Sequence, residues 1–268
     1  MASEAQTVVL PSQTVLSHFW AMIRRPRTAL AALRESRRPG WIWMALVTLV
    51  LSILPILVAA PITARQAAAA IQQTMDRQAE LGQEITPEMQ AQAAQFSTSP
   101  IFTMALPAIA RIFGLVLLWL AWSGSLHLLS TITGGSNSFK QMWRAIVWSW
   151  IPFAIRGLMQ TVFILATDEL LTHPGLSYLL ASKEAGAGSE AALHIPSTGE
   201  LFLSGVLGQV DLFVVWNLVL LVLSVEVTAR ISRRKSILIT LGVWVALVLL
   251  SVLPAVVTGA LSRGMTGL

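Results

Sequence analysis

The sequence predicts an all-α integral membrane protein, in which a five-transmembrane-helix bundle follows N-terminal interfacial amphipathic helices. Hydrophobic residues make up 55% of the chain and charged residues 12%, about half of the charged fraction in an ordinary soluble domain. Residues 39–64 and 236–262 contain no charged side chain, and each stretch exceeds the roughly 20 residues that a helix needs to cross a bilayer. No stretch alternates in the manner of a barrel strand, so the predicted spans are helices.

Residues 1–40 are predicted to form a cytoplasmic segment with two short amphipathic helices. Leu16, Phe19 and Trp20 recur at helical spacing, and Pro26 ends the first helix. An apolar stripe beside basic residues is typical of a helix that lies in the membrane interface. The residues that we expect to face the interface and its lipids are Phe19, Trp20, Arg24, Arg25, Arg27, Arg37 and Arg38. Docking of a cytoplasmic protein partner is the alternative use of this stripe.

The membrane domain is predicted to occupy residues 41–260. Its five spans lie at about 41–60, 102–128, 145–167, 203–226 and 237–260. The distribution of basic residues gives the orientation, because Lys and Arg concentrate in cytoplasmic loops. Twelve of the eighteen basic residues lie before the first span, between the second and third, or between the fourth and fifth, against four in the opposite connections. We therefore expect an inner-membrane protein with a cytoplasmic N-terminus and an extracytoplasmic C-terminus.

Two extracytoplasmic connections are long. Residues 63–99 are rich in Ala and Gln, which are strong helix formers, and they predict a helical insertion that lies across the outer face as a hairpin. Residues 168–200 contain many Gly, Ser and Ala residues, which is typical of a flexible loop.

A glycine-rich turn precedes the third span. Gly134 and Gly135 suit a tight turn because glycine tolerates positive φ, and Ser138 or its neighbour Ser136 can cap the following helix. Lys140 then faces the cytoplasm. The turn lacks the spacing of a phosphate loop, so we interpret it as a re-entry turn that sets the angle of the third helix.

Ionisable residues interrupt three of the spans. Arg111, Arg156 and Asp211 lie in the second, third and fourth spans, and an Arg near the bilayer centre costs about 2.5–3.5 kcal/mol on insertion scales. We expect Arg156 to pair with Asp211, with Arg111 as a competitor, and Gln209 and Asn217 to complete a polar network. This network either holds the helices together or lines a cavity for an anionic ligand, and the surplus cation supports the second possibility.

Catalysis has little support in the sequence. The chain has no cysteine and no Walker, HExxH or GxSxG motif. His127 lies one helical turn from Ser123, and no other span carries a His that could act as the base. We predict no catalytic residue, no cofactor and no metal site. The high pI of about 10.7 does not predict nucleic-acid binding, because the basic residues lie at membrane boundaries.

Several short motifs occur in a recognisable order. They are FW followed by RP (Phe19, Trp20, Arg25, Pro26), GGxxSFKQ (Gly134 to Gln141), a proline in the third span (Pro152), DLFxxWN (Asp211 to Asn217) and SRRK (Ser232 to Lys235). This order resembles the Yip1 domain family, in its bacterial type, over residues 15–260. The resemblance implies a five-span helical protein with a cytoplasmic N-terminus. Eukaryotic members carry a longer N-terminal region associated with Rab GTPases, so the resemblance implies the fold more than a role in vesicle traffic.

Two functions follow as expectations. The first is a non-enzymatic protein that organises the membrane or acts as a scaffold subunit, with membrane lipids, including anionic ones, and a membrane or cytoplasmic protein as its partners. The second is a small transporter or channel-like subunit that binds an anionic ligand or lipid through Arg111 and Arg156. An external protein recruited by residues 63–99 is a third possibility.

Overall fold

The structure is a computed structural model that describes residues 15–35, 40–80, 86–171, 175–177 and 198–266. Arg37, Arg38 and most of the predicted loop 168–200 lie outside the described residues. The described part of the chain is helical and contains no strand. Its α-helices are α1 (Val15–Arg24), α2 (Pro26–Glu35), α3 (Trp41–Glu80), α4 (Pro87–Thr98), α5 (Leu106–Ile132), α6 (Phe139–Ser149), α7 (Ile151–Thr167), α8 (Thr198–Gly208), α9 (Leu212–Ala229) and α10 (Arg233–Thr266). A π-helical turn, Ile101–Ala105, leads into α5, and a short 3₁₀ turn, Gly175–Ser177, precedes α8.

Five helical segments of the described chain are long and apolar enough to cross a membrane. They are Trp41–Glu80, Ile101–Ile132, Phe139–Thr167, Leu212–Ala229 and Arg233–Pro254. The predicted all-α membrane bundle is therefore confirmed, and the chain is a multi-pass membrane protein. We call the side that carries α1, α2 and the turn at 133–138 the N-terminal face, and the other side, where Arg65 and Asp168 lie, the opposite face.

The first span is part of a much longer helix than the sequence predicts. α3 contains 40 residues, a rise of about 60 Å, which is twice the thickness of the hydrocarbon core. It continues past 60 because the following Ala- and Gln-rich sequence favours helix. α4 packs back against it on the opposite face. The predicted insertion 63–99 is thus built from the outer part of α3 together with α4.

Two other spans differ from their predicted limits. The third begins at Phe139 because Ser138 caps it, and it is divided at Trp150, where α6 ends and α7 begins with Pro152 near its start. The fourth, predicted at 203–226, is divided at 209–211 into α8 and α9. Asp211 has extended backbone and is the N-cap of α9, which is why the helix restarts there.

α6 lies at the centre of the bundle. Seven of its eleven residues are buried, and it contacts α2, α3, α5 and α9. The largest fully buried side chains among the described residues include Trp148 and Met142 of α6 and Trp119 of α5. α7 packs along α3, where Gly157 lets the two backbones approach closely at Leu51.

Candidate functional site

A cavity of about 750 Å³ lies between the spans, and all five of them contribute to its lining. Its polar side chains include Thr48 and Ser52 of α3, Arg111 of α5, Arg156 and Gln160 of α7, and Gln209 before α9. Its apolar lining includes Leu115, Phe153, Trp122, Trp150 and Trp244. The cavity is therefore amphipathic and carries two guanidinium groups within the membrane-spanning part of the chain.

Arg156 and Asp211 form an ion pair beside this cavity. Arg156 Nη1 lies 2.7 Å from Asp211 Oδ2, and the two side chains are 24% and 14% exposed. The other carboxylate oxygen, Oδ1, accepts a hydrogen bond from Val214 N at 2.8 Å. Asp211 thus performs two tasks at once, because it caps α9 and neutralises Arg156. The pair joins α7 to the start of α9 across the divided fourth span.

Arg111 lines the same cavity without such a partner. Among the residues that the structure describes, no carboxylate or hydrogen-bond acceptor engages its guanidinium, and the positive charge of Arg156 acts on it repulsively. The three ionisable side chains together carry a net charge of one positive unit. An isolated charge is costly at membrane depth, so this arrangement lacks one anion.

The remaining residues of the predicted polar network are separated. Asn217 lines the cavity but donates its Nδ2 to the Ser149 carbonyl at 2.7 Å, which satisfies an acceptor left free where α6 ends. Ser149 Oγ in turn contacts Ser224 Oγ at 2.8 Å. Asn217 therefore joins α9 to the α6–α7 break instead of joining Asp211. Gln209 lines the cavity at its end nearer the opposite face.

Sequence reasoning missed four polar lining residues, one of which, Ser251, lies in α10. Thr48 and Ser52 are four residues apart in the charge-free first span, and Gln160 lies four residues after Arg156. Side chains four apart share a helix face. This spacing was the available signal, although only the packing of five helices shows that these faces meet.

Packed tryptophans fill the space between the cavity and the N-terminal face. Trp150 contacts Trp122 and Trp119 edge to face, with ring centroids 6.4 and 6.5 Å apart, and Trp143 lies between Trp119 and Trp41. Because Trp41 begins the first span, this tryptophan layer continues from the cavity to the end of the bundle. The layer therefore lies between the cavity and the N-terminal face.

The glycine turn packs against the end of α9 and the start of α10, because Ser136 N donates to the Ala229 carbonyl and Lys235 Nζ donates to the Thr133 carbonyl, each at 2.9 Å. Gly134 has φ +93°, and a Cβ on Gly135 would lie 2.7 Å from the Ser130 carbonyl. Ser138 and Gln141 form a reciprocal capping box, with hydrogen bonds of 3.3 and 3.0 Å. Lys140 is exposed on the N-terminal face. These contacts fit a structural turn that fixes the start of α6.

Ser123 and His127 do not form a nucleophile–base pair. The His127 imidazole Nδ1 lies 3.2 Å from the Asn137 amide nitrogen, and Ser123 Oγ is buried with no hydrogen-bond partner among the described residues. A serine nucleophile needs a base within hydrogen-bond reach.

The N-terminal helices pack on the bundle as a helix pair, α1 with α2. Leu30 and Met22 are fully buried, and α2 contacts α6 and α9. Arg27, which we expected to face lipid, instead donates Nη2 to both carboxylate oxygens of Glu226 at 2.8 and 3.0 Å. The helix pair is thereby fixed to the C-terminal end of α9.

His18 lies on the packed face of α1. Its ring meets Trp148 edge to face at 4.5 Å, and burial lowers the pKa of the imidazole below its ordinary value of 6.5. Packing of α1 therefore favours the neutral form of the His18 imidazole.

A second face of α1 remains uncovered. Leu16 and Trp20 are 67% and 51% exposed, and the guanidinium of Arg24 lies 5.4 Å from the centre of the Trp20 ring. These three residues are four apart and form one face, while Phe19 is half-buried beside them. Arg25 is exposed nearby. This face combines apolar and basic groups, as a membrane interface requires.

A sequence model of one protein family matches this chain. The family is described as the Yip1 domain, and the match covers residues 20–253. Searches among curated proteins and among solved structures gave no significant match.

Proposed function

The chain belongs to the Yip1 domain family, and from this premise we propose that it is a non-enzymatic protein that organises the lipid leaflet beside its N-terminal face. In this proposal the N-terminal face is cytoplasmic and the membrane is the bacterial inner membrane. The excess of Lys and Arg in the segments on this face supports that orientation.

The uncovered face of α1 is the observation that carries the proposal. A helix pair that merely completed the bundle would keep its large apolar residues inside, whereas Leu16 and Trp20 are exposed beside Arg24. Apolar side chains can enter the acyl boundary while basic groups near the surface each gain about 1 kcal/mol with anionic lipids. The Arg27–Glu226 contact supports a fixed position for this face relative to the bundle.

A scaffold that binds a protein partner is the second candidate. The same exposed face favours it, because exposed aromatic and basic residues are enriched where proteins associate. The position of α1 at the membrane boundary gives preference to lipid.

Transport of an anion is less well supported. A transporter needs a route to both sides of the membrane, and packed tryptophans lie between the cavity and the N-terminal face. This packing favours a binding cavity over a pore.

A site-specific fluorophore tests the lipid-organising function. The chain has no cysteine, so Leu16→Cys offers a unique position for an environment-sensitive label. In vesicles that contain phosphatidylglycerol we expect a blue-shifted, brighter emission than in pure phosphatidylcholine, and we expect Arg24→Gln with Arg25→Gln to reduce the difference. Glu35→Cys, exposed at the end of α2, is the matched control and should report water in both vesicles.

Emission from position 16 that matches the Glu35→Cys control in both vesicles would refute lipid contact. The exposed face would then be assigned to a protein partner. Pull-down mass spectrometry of the mildly solubilised protein, with and without Trp20→Ala, would test that assignment directly.

A further inference from the structure

We propose that the cavity between the five spans binds the phosphate group of a net-anionic phospholipid, with the Arg111 guanidinium as its main contact. This site is distinct from the lipid contact of α1, because it lies within the bundle and is separated from the N-terminal face by the tryptophan layer. The two proposals can therefore fail independently.

The charges of the cavity define the charge of the ligand. Asp211 is committed to Arg156 and to the backbone of Val214, so its carboxylate does not neutralise Arg111. Arg111 keeps its donors available and is repelled by Arg156. One added negative charge would balance the site. A planar guanidinium engages a phosphate through two parallel hydrogen bonds, which matches the donors that Arg111 offers.

A second group that lines the cavity also lacks a partner among the described residues. Thr48 lines the cavity and is 1% exposed, yet its hydroxyl has no hydrogen-bond partner among the residues that the structure describes. Four buried hydroxyls among the described residues lack a partner, and Thr48 carries the one that lines the cavity. A bound phosphate oxygen would accept from it. Gln160 lines the same cavity and supplies a further amide donor.

The apolar lining identifies a lipid as the source of the phosphate. Leu115, Leu118 and Phe153 line the cavity together with Leu247 and Val248, and free phosphate has no group to place against them. A glycerol backbone and the start of an acyl chain would cover these surfaces. A smaller cavity of about 360 Å³ adjoins it and shares Pro55, Ile56 and Gln160, while its other lining residues include Leu170 and Leu171 near the opposite face.

The charge balance also separates lipid classes. A zwitterionic lipid would bring an ammonium or choline group to a cavity that already holds two guanidinium groups. Phosphatidylglycerol carries one negative charge and no cation. We therefore expect preference for the anionic lipid.

Thermal unfolding of the purified full-length chain in a non-ionic detergent tests the proposal. Short-chain phosphatidylglycerol should raise the unfolding midpoint in a saturable manner, since a ligand that binds only the folded state stabilises it. Short-chain phosphatidylcholine and inorganic phosphate should give much smaller shifts. Arg111→Gln should weaken the phosphatidylglycerol response by about 10- to 100-fold in apparent Kd, the loss expected for a hydrogen bond to a charged group.

Three matched variants make the result interpretable. Lys140→Gln removes one exposed positive charge on the N-terminal face and should keep the full response. Trp20→Ala with Arg24→Gln removes the α1 contact and should also keep it. Thr48→Val deletes only the unpartnered hydroxyl and should weaken the response severalfold, which provides a second test within the cavity.

Several outcomes would overturn the proposal. These are a wild-type chain that does not respond to phosphatidylglycerol, an equal response to phosphatidylcholine or to inorganic phosphate, and an unchanged response in Arg111→Gln. Without lipid, Arg111→Gln should leave the midpoint unchanged or raise it, because it removes an unpaired charge. A lower midpoint together with an intact lipid response would assign Arg111 to helix packing instead.

Discussion

Replacing Asp211 with Asn isolates the electrostatic part of its ion pair with Arg156. Asn is as good an N-cap as Asp, so Asp211→Asn keeps the cap of α9 and removes only the negative charge. With the N–O distance at 2.7 Å, the two charge centres lie about 4 Å apart, an attraction of about 4 kcal/mol at an effective dielectric constant near 20. Desolvation of both largely buried groups offsets roughly half of this, which leaves about 2 kcal/mol of net coupling.

The double-mutant cycle has a defined expected pattern. Asp211→Asn should cost about 2.5 kcal/mol because it leaves two cations in one cavity. Arg156→Leu should cost less, about 1.5 kcal/mol, since the Asp211 carboxylate left behind still accepts the hydrogen bond from Val214 N that caps α9. The double variant should lose only about 2 kcal/mol, whereas independent sites would lose about 4 kcal/mol. SDS titration in mixed micelles, followed by far-UV circular dichroism, measures all four free energies of unfolding.

Additivity within about 0.5 kcal/mol would refute the ion pair as a source of stability. Asp211→Ala provides the companion measurement. It removes the cap as well as the charge, so it should cost about 1 kcal/mol more than Asp211→Asn.

Three further predictions concern packing, capping and protonation. Gly157→Ala should prevent stable folding or cost more than about 3 kcal/mol in the same SDS titration, because its Cβ would collide with the Leu51 carbonyl. Gly124 has open space around it, so Gly124→Ala should be neutral or stabilising. Ser138→Ala should cost about 1 kcal/mol in that titration through loss of the capping box, and an unchanged value would contradict the cap. Because burial lowers the pKa of His18, its contribution to the packing of α1 is fully present above pH 6.5 and is lost as the pH falls through the folded-state pKa. Limited proteolysis of the N-terminal helix pair should therefore accelerate on acidification in the wild type. It should not accelerate in His18→Phe.

The apolar runs were sufficient to predict the five spans, whereas the interruptions within them required finer signals. The break before α9 has a local cause, because an Asp followed by an apolar run is an N-cap pattern. We interpreted Asp211 as a mid-helix charge because hydropathy alone does not reveal where a helix restarts. The break at Trp150 had a comparable signal in Pro152, which suits the first turn of a new helix.

Long-range partners were predictable only where few candidates existed. Arg156 and Asp211 were an evident pair because the membrane-spanning sequence offers few charges. Glu226 had many basic residues within reach, and its contact with Arg27 depends on how α2 docks against α9. The sequence also did not show which face of α1 packs on the bundle. The packed face buries His18 and Met22, whereas the apolar side chains of Leu16 and Trp20 are exposed.

The length of α3 has a mechanical consequence. The Arg65–Asp168 ion pair, at 2.9 Å, fastens this helix to α7 at the opposite face. From Arg65 the helix rises about 22 Å outward to Glu80 and about 25 Å inward to Thr48. The inner arm is held along α7, where Leu51 lies against Gly157, whereas the outer arm contacts α4. A sideways force on the outer arm is therefore absorbed by bending at Pro61 and Pro55, the two prolines between Arg65 and Thr48, before it reaches the cavity.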